Sequence, residues 1–419
     1  MAKGRVVAGK HLVQLRKKQT RVSQKVFSEL VDIPVGTLRN YEQGRSLLTV
    51  EKFMEIKSKL GYVSDSKNRV RVMIDYLRIT FKHVEDLSWF CQEYLYCDLK
   101  DFISVETKMM NYTHLWKRGD IWIFDFADKS LTNNYQITVQ LSGAGCRQFE
   151  LTMERAGTDW ARSLQKMAWE RKDMKVTRLD IAMDEPYKGV GRESEQFDLF
   201  SMLEKRRKRE IVLDRIENFS FVGGGAFDET KGKQDGLSLY FGSRQSSMFF
   251  NFYEKRYELA KKERVSVDEA SAVFDIWNRY ELRFSDEKAH SVVDEFINGV
   301  DIAEIAKGIL NKELQVYDGL NSYGAYLPDK KWQELFGGVE PLKLSTCPEP
   351  YDILRTVKWL VYQVSNSLAL VSEADKKLAT DYLKMIFESG EIGEKEEKVL
   401  EQLSPEDKRY IDEIFGKVV

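Results

Sequence analysis

The sequence predicts an α+β fold, with a small all-α domain first, an antiparallel-sheet domain in the middle and a helical C-terminal region. Residues 1–62 show short helical patterns with tight turns, strand patterns recur from residue 72 to about residue 285, and only helical patterns follow Pro341. Strands interleaved with helices are typical of an antiparallel sheet covered by helices. We therefore expect three domains, at residues 1–68, 69–335 and 336–419.

The expected strands alternate polar and apolar residues or are rich in β-branched and aromatic ones. They span residues 72–81, 121–126, 135–141, 177–184, 237–241, 248–253 and 280–284. Helical patterns lie between some of them, at residues 157–172 and 193–209, and return at residues 350–369 and 372–388.

Composition excludes several classes of protein. The 419 residues are 42% hydrophobic and 32% charged, with only 7 prolines, which argues against a disordered chain. No uncharged apolar run approaches the ~20 residues of a membrane span, and the N-terminus lacks the apolar stretch of a signal peptide. The 4 cysteines are scattered without the spacing of a zinc site. We expect a cytoplasmic protein with reduced thiols and no membrane insertion.

Positive charge is concentrated at the N-terminus, although the formal net charge is only −2. Residues 1–60 hold 13 lysines and arginines against 5 acids, whereas residues 385–419 hold 5 against 10. A basic head on a neutral chain indicates one domain that faces nucleic acid. On charge alone, a merely solvated basic surface is the alternative.

Residues 22–44 have the pattern of two short helices joined by a tight turn. Ser23 can cap the first helix, Ile33 in the turn can fill the core, and Leu38 and Tyr41 can bury the back of the second helix. The inward face of the first helix is expected to consist of Val26, Phe27 and Leu30.

This segment resembles the lambda-repressor-like helix-turn-helix family, in which the residues at the positions of Arg16 and Glu42 pair. The resemblance implies that the second helix of the motif enters the major groove, where Arg and Asn side chains can bind guanine and adenine edges. A helical hairpin used for protein contacts is the alternative. The expected DNA-binding residues are Gln24, Thr37, Arg39 and Asn40.

Two segments place acids on the polar face of a strand. Period two puts Asp180 and Asp184 on one face of the strand at residues 177–184, opposite an apolar face that belongs on the core. Two such carboxylates are costly unless positive charge lies beside them. A divalent cation or arginines can provide it, and the strand leaves both open. Glu281 presents the same choice, because Arg279 and Arg283 share its face.

Residues 237–258 predict a β-hairpin that turns at residues 242–244 and runs into a charged helix. Tyr253 lies where strand gives way to helix, and a phenol there can reach a phosphate held by Arg244, Lys255 and Arg256. A free tyrosine has a pKa near ~10 and needs such help to act as a nucleophile. A packing role is the alternative for any one of the 19 tyrosines. If Tyr253 is not the nucleophile, Tyr257 is the next candidate.

Four blocks resemble the superfamily of replication initiators and relaxases found in rolling-circle plasmids and Gram-positive conjugative elements. They lie at residues 73–81, 141–150, 177–184 and 242–255, in the order of the family. A helix-turn-helix head fused to this domain is similar to the MobT-type relaxases. The resemblance implies that Tyr253 is the nucleophile, with Arg244 and Lys255 beside it. The metal ligands that it implies are Asp180 and Glu281, with Asp184 and Glu150 as further candidates.

The implied metal ion differs from that of most relaxases, which use a histidine pair. The 4 histidines of this chain are far apart in sequence, so oxygen ligands and therefore Mg²⁺ or Mn²⁺ are expected. Glu150 is expected on the polar side of a strand, where an ordinary edge-strand charge is the alternative.

The resemblance implies a relaxase that nicks and rejoins one DNA strand at an origin of transfer through a 5′-phosphotyrosine link. The expected partners are double- and single-stranded DNA, and a coupling protein, an accessory DNA-binding protein or a helicase. The five lysines and arginines at residues 205–209 are expected to contact duplex DNA or to form a solvated helix end. The alternatives are a plasmid replication initiator with the same chemistry, a non-enzymatic helix-turn-helix regulator and a structural adaptor.

Overall fold

The structure, a computed structural model, describes residues 5–20, 22–60, 70–127, 134–225, 234–342, 360 and 365–390. The chain divides into two compact units, residues 1–345 and 346–419. The first unit contains the helical head and the sheet, and the second contains the last two helices. The predicted α+β class is confirmed. The expected domain boundaries after residues 68 and 335 stay predictions.

Fifteen α-helices lie in the described residues. Their bounds are α1 Gly9–Gln14, α2 Gln24–Val31, α3 Val35–Glu42, α4 Val50–Lys59, α5 Leu87–Tyr94, α6 Gly143–Arg155, α7 Trp160–Glu170, α8 Leu199–Arg207, α9 Lys255–Glu263, α10 Val267–Phe274, α11 Glu287–Ile297, α12 Ile302–Glu313, α13 Lys330–Phe336, α14 Ser365–Leu378 and α15 Tyr382–Glu388. None of these helices has the length and apolar content needed to cross a bilayer.

The described strands are fifteen in number, and seven of them match strands predicted from the sequence. Their bounds are β1 Val6–Val7, β2 Leu48–Thr49, β3 Arg71–Phe81, β4 Ile103–Glu106, β5 His114–Arg118, β6 Ile121–Asp125, β7 Ile137–Leu141, β8 Met174–Asp184, β9 Ile211–Leu213, β10 Phe219–Gly225, β11 Gln234–Phe241, β12 Met248–Tyr253, β13 Arg279–Ser285, β14 Leu314–Leu320 and β15 Tyr326–Pro328.

One sheet of ten antiparallel strands organises the first unit. Its order is β10-β11-β12-β13-β8-β3-β7-β6-β5-β4, so the long strands β3 and β8 lie at its centre. The apolar face of β8 consists of Leu179, Ile181 and Met183, all in the main core, as the alternation predicts. Helix α11 packs against β8 and buries Val292 and Val293 there. The other face of β8 is left for polar side chains.

The head contains the predicted pair of helices, α2 and α3. The Ser23 hydroxyl accepts a hydrogen bond from the Val26 N–H (3.4 Å), and Ile33 in the turn is buried. Asp32 takes the left-handed conformation that ends α2 (φ 51°). Leu38 is fully buried on the back of α3.

The predicted inward face of α2 is partly wrong. Val26 and Leu30 are 43% and 51% exposed, whereas Phe27 and Val31 are fully buried. Phe27 and Val31 lie four residues apart and share one face of the helix, which is the face that meets the core. Val26 and Leu30 precede them by one position each and are turned away by about a quarter of a turn.

The second unit contributes the short helices α14 and α15. The predicted continuous stretch at residues 372–388 breaks between them, where Ala379 has a positive φ of 54°. Asp375 accepts hydrogen bonds from the N–H groups of Tyr382 and Leu383, both at 2.9 Å, and so caps the start of α15. Most of the stretch expected at residues 350–369 lies outside the described residues.

Candidate active site

Strand register brings the polar residues of three strands onto one face of the sheet. Along three rows, β12, β13 and β8 pair in antiparallel register. Side chains directly opposite each other on antiparallel strands lie close enough to interact. The rows are Tyr253, Arg279 and Asp184; then Asn251, Glu281 and Ala182; then Phe249, Arg283 and Asp180.

Tyr253 lies on this face, at the end of β12. Its hydroxyl donates a hydrogen bond to Glu281 Oε1 (2.7 Å) and accepts one from Lys255 Nζ (3.3 Å). The side chain of Tyr253 is half-buried, whereas its neighbour Phe252 is fully buried in the apolar core on the other face. The sheet therefore brings together Tyr253, Lys255 and Glu281, three residues that the sequence singled out.

Burial raises the pKa of the Tyr253 phenol far above its usual range, and the Glu281 carboxylate raises it further. Burial also raises the pKa of Glu281, and the nearby charges of Asp75 and Asp180 act in the same direction. The phenol is therefore a neutral donor in this state, and Glu281 is a carboxylate that gains from added positive charge or a proton.

Arg279 compensates two of the acids on this face. Its guanidinium holds both oxygens of Asp184 (2.6 and 2.8 Å) and one oxygen of Asp75 (3.1 Å). Asp184 is buried, so this bidentate pair removes the need for any other cation there. Burial opposes the charge of Arg279, but the hydrogen bonds and charge of Asp184 prevail and raise its pKa.

Asp180 is likewise paired with arginines. Arg178 reaches both of its oxygens (2.9 and 2.5 Å), and Arg283 Nε lies 3.4 Å from one of them. For Asp180 and Asp184, the structure favours the arginine alternative over the metal alternative. The two acids are ion-pair partners that shape the site.

Glu150 is not on a strand, so the predicted position is wrong. Strand β7 ends at Leu141, and Gly143 begins helix α6, which contains Glu150. Its carboxylate pairs with Arg147 (2.8 Å) and accepts a hydrogen bond from Trp160 Nε1 (2.8 Å). The glycines of this block serve packing, because a Cβ on Gly145 would lie 2.2 Å from the carbonyl oxygen of Asp120.

Asp75 is a site residue that the sequence predictions missed. The register of β3 against β8 shifts between Ile74 and Tyr76, so Asp75 is an extra residue in a β-bulge. The buried residues of β3 carry the signal of that bulge, since Ile74 and Leu77 are three apart whereas Leu77, Ile79 and Phe81 follow at intervals of two.

The oxygen atoms near Tyr253 suit a hard divalent cation better than the metal ligands predicted from the sequence do. Among the described residues, no three histidine, cysteine or acidic side chains are grouped closely enough to hold a metal. Beside Glu281 and Asp75, the face offers Asn251 Oδ1, a buried atom without a hydrogen-bond partner in the described part of the chain. Carboxylate and amide oxygens of this kind fit Mg²⁺ or Mn²⁺.

Two of the predicted phosphate-binding arginines are engaged elsewhere. Arg244 lies in the turn at the other end of the hairpin from Tyr253, with its guanidinium 5.4 Å from the centre of the Tyr240 ring. Arg256 is buried against Trp277 (3.5 Å to the ring centre) and donates to Asn278 Oδ1 (3.2 Å). The structure therefore leaves Lys255 as the predicted cation that contacts Tyr253.

In the head, Gln24 has a structural contact. Arg16 holds both oxygens of Glu42 (2.6 and 3.0 Å), the pairing that the helix-turn-helix resemblance implies. Gln24 Nε2 donates to the same carboxylate (2.6 Å), so its amide braces α2 against α3. On α3, Arg39 is exposed, and Thr37 and Asn40 are half-buried.

The head packs directly on the sheet domain through α10. The buried Lys57 Nζ donates to the carbonyl oxygen of Ala272 (3.0 Å), and the Ala8 N–H donates to Glu269 (2.6 Å). Tyr187 and Trp277 stack beside this contact and share the hydrophobic core of the head. The segment that touches the head therefore leads straight into β13, which carries Arg279 and Glu281.

Comparison with known proteins identifies the family of the chain. The model of the replication initiation factor family matches residues 174–387, which is 214 of the 419 residues. The model of the N-terminal domain of rolling-circle replication initiation proteins matches residues 71–166. The chain belongs to the replication initiation factor family.

Two relatives extend the comparison. A rolling-circle replication initiator from Geobacillus stearothermophilus shares the fold, with a TM-score of 0.51 and 23% identity over 66% of this chain and 99% of that one. A protein of Bacillus subtilis (strain 168), described as a proposed DNA relaxase, NicK, is 29% identical over 333 residues, 78% of this chain and 88% of the relative. The family and this relative support DNA nicking as the activity.

Removing Arg279 should reveal how much burying Asp184 without a partner destabilises the fold. Arg279→Leu leaves Asp184 buried without its partner, which we expect to lower the free energy of unfolding by about 3–5 kcal/mol. Urea denaturation measures it. Arg162→Leu is the matched control, because Arg162 is exposed and pairs with Asp159 only loosely (3.6 Å); its cost should stay below about 1 kcal/mol. If Arg279→Leu destabilised the protein as little as Arg162→Leu does, Asp184 would not need Arg279 as its partner.

Proposed function

We propose that this protein is a relaxase that nicks and rejoins one DNA strand at an origin of transfer, with Tyr253 as the nucleophile. The observation that carries the proposal is the hydrogen bond of 2.7 Å from the Tyr253 hydroxyl to Glu281, on the polar face of the sheet. Membership of the replication initiation factor family supplies the class of substrate. The helix-turn-helix head supports the MobT-type assignment.

In the proposed step, the Tyr253 oxygen attacks the scissile phosphorus. A bond forms between that oxygen and phosphorus, the bond from phosphorus to the 3′ oxygen breaks, and a 5′-phosphotyrosine link and a free 3′-hydroxyl result. The phenolic proton passes to Glu281, which already accepts its hydrogen bond, and the leaving 3′ oxygen takes up a proton from water. Attack by a later 3′-hydroxyl reverses the step, so the strand is rejoined without ATP.

Lys255 supports the same step from the other side of the phenol. Its ammonium lies 3.3 Å from the Tyr253 hydroxyl and 2.7 Å from Glu258. A cation there favours the developing phenolate and the charge on the phosphate oxygens. Burial alone makes Tyr253 a poor nucleophile, so the chemistry needs this positive charge next to it.

A divalent cation fits the remaining oxygen atoms. Members of this family generally depend on one. In this chain, Glu281, Asp75 and Asn251 would hold it, and Mg²⁺ or Mn²⁺ would neutralise charge that develops on the phosphate. The cation would also relieve the mutual repulsion of Asp75 and Glu281, which raises the pKa of Glu281 in its absence.

The head provides a duplex-binding surface next to this site in the proposed function. Arg39 is exposed on α3, and Thr37 and Asn40 lie on the same helix. These side chains can contact base edges in the major groove, while Gln24 keeps the two helices of the motif in place. Packing of α10 against the head then fixes the distance between the bound duplex and Tyr253.

A plasmid replication initiator with the same chemistry is the second candidate. The fold shared with the initiator from Geobacillus stearothermophilus favours it. The substrate separates the two, because a relaxase nicks an origin of transfer and an initiator nicks a plasmid replication origin. The proposed protein partners of the relaxase are a coupling protein, an accessory DNA-binding protein or a helicase.

Replacing the nucleophile gives the first test. Tyr253→Phe should abolish the covalent protein–DNA adduct on labelled single-stranded origin DNA with Mn²⁺, because no hydroxyl remains to attack phosphorus, while duplex binding should stay within about twofold. A denaturing gel detects the adduct. Tyr257→Phe is the control and should retain it. An adduct in Tyr253→Phe that disappears in Tyr257→Phe would move the nucleophile to Tyr257.

The pH dependence of nicking gives a second test. Protonated Glu281 can neither accept the phenolic proton nor bind the cation, so the rate should fall as the pH drops through the pKa of Glu281. Burial raises that pKa in the cation-free site, and a bound cation lowers it. Glu281→Gln should lower the rate by about 10²–10⁴-fold. Glu150→Gln is the control and should keep the wild-type rate and pH profile. A wild-type rate and pH profile in Glu281→Gln would argue against the proton transfer.

The head gives a third test. Arg39→Ala should weaken binding of an origin duplex about tenfold, because a hydrogen bond to a base edge is removed, and should leave nicking of a short single strand unchanged. Fluorescence anisotropy measures the first effect and a denaturing gel the second. Glu51→Gln, at the start of α4, is the control. Unchanged duplex affinity in Arg39→Ala would remove α3 from the DNA interface.

A further inference from the structure

A second surface of the molecule combines exposed aromatic side chains with consecutive cations. Strands β14 and β15 form a hairpin at residues 314–328, here called the tyrosine hairpin. Tyr323 at its tip is 93% exposed, and Tyr326 on β15 is 45% exposed. Residues 206–209, here called the basic run, are Arg206, Arg207, Lys208 and Arg209, and all four are exposed.

The tip of the tyrosine hairpin is ordered although Tyr323 packs little. The side-chain oxygen of Asn321 accepts hydrogen bonds from the N–H groups of Tyr323 and Ala325, both at 2.9 Å. The Asn321 N–H donates to the Ala325 carbonyl oxygen (2.8 Å), and Gly324 takes the positive φ of 77° that the turn requires. These hydrogen bonds fix the backbone of the turn and leave the Tyr323 ring exposed to solvent.

Buried contacts hold the basic run against this hairpin. Lys205, which precedes the run, is buried and donates to the carbonyl oxygen of Tyr317 (2.7 Å). It also pairs with Asp318 and Asp329, both at 3.1 Å. The Tyr326 hydroxyl donates to the carbonyl oxygen of Arg209 (3.3 Å). Lys205 is therefore a structural anchor and not the DNA contact expected from the sequence.

Lys205 also changes the charge balance of the surface. It pairs with both Asp318 and Asp329, so part of the negative charge beside the hairpin is offset without the four cations of the basic run. The nearest acid in sequence is Glu210, which directly follows the run. Four exposed cations beside exposed aromatic rings match a polyanion that carries flat bases.

We propose that the basic run and the tyrosine hairpin form a binding site for single-stranded DNA, separate from the active site. Arg206 to Arg209 hold the phosphates, and Tyr323 and Tyr326 stack on unpaired bases. Rings can stack this way only on bases that are free of a partner strand, so the site selects single strands over duplex. This proposal rests on the proposed function, because it takes DNA as the substrate. The site would bind the single strand that is exposed for nicking.

Binding of labelled (dT)20 to the full chain in EDTA, where no nicking occurs, tests the site. Tyr323→Ala should weaken (dT)20 binding about tenfold, because one base no longer stacks, with duplex binding of equal length changed less than twofold. The double variant Arg207→Gln with Lys208→Gln should also lower the salt dependence of (dT)20 binding, by about 0.7 in log–log slope for each phosphate that the protein no longer neutralises.

The controls lie on the second unit of the chain. Tyr382→Ala removes another exposed tyrosine, and Lys376→Gln with Lys377→Gln removes two exposed lysines, so both should bind (dT)20 like wild type. Wild-type affinity in Tyr323→Ala would overturn the proposal, and so would an equal loss for (dT)20 and duplex. Adduct formation by wild type is read separately, so its absence would refute the proposed nicking without affecting this result.

Discussion

The hydrogen bond between the Tyr253 phenol and Glu281 is the contact on which the proposed chemistry depends. It exists because β12 and β13 pair in a register that sets Asn251 opposite Glu281 and Tyr253 opposite Arg279. A shift of one residue would turn Tyr253 into the apolar core and bring Phe252 to the polar face. The fully buried Phe252, Tyr280 and Trp332 on the core side pin that register, since their rings pack against one another.

A balance of buried charge surrounds this contact. Arg279 compensates Asp184 and Asp75, and Arg178 and Arg283 compensate Asp180. Glu281 has no such arginine clamp among the described ion pairs, and its pKa is raised. The acid beside the phenol is therefore the one that can take up a proton or a cation, which is what an acid at a nucleophile must do.

Much of the fold could be predicted from the sequence, because alternation and helical periodicity report directly on which face of an element is buried. The same alternation places Asp180, Glu281 and Tyr253 on polar faces. Alternation cannot reveal that Asp180 pairs with Arg283. The two residues lie on different strands, far apart in the sequence, and alternation does not show which strands are neighbours in the sheet. The prediction for Val26 and Leu30 in the head fails for a local reason, since a shift of one position decides the buried face of a short helix.

Asp75 and Glu150 escape sequence-based prediction for equally physical reasons. A single extra residue in a bulge reverses the face on which a strand residue points, and this hides Asp75. The block that contains Glu150 begins in a strand, but Ser142 and Gly143 end the strand and start α6. The consequence is a candidate cation site built from Glu281, Asp75 and Asn251, of which the sequence indicates only the first.

Mapping the covalent link by mass spectrometry tests the role of the site most directly. Wild-type protein would be trapped on a single-stranded origin oligonucleotide with Mn²⁺, digested with nuclease and protease, and searched for a peptide that carries a 5′-phosphodeoxynucleotide. We expect the modification on the peptide that contains Tyr253, at the phenolic oxygen. A modification on any other tyrosine, or a nicked product without any linked peptide, would contradict the proposed chemistry.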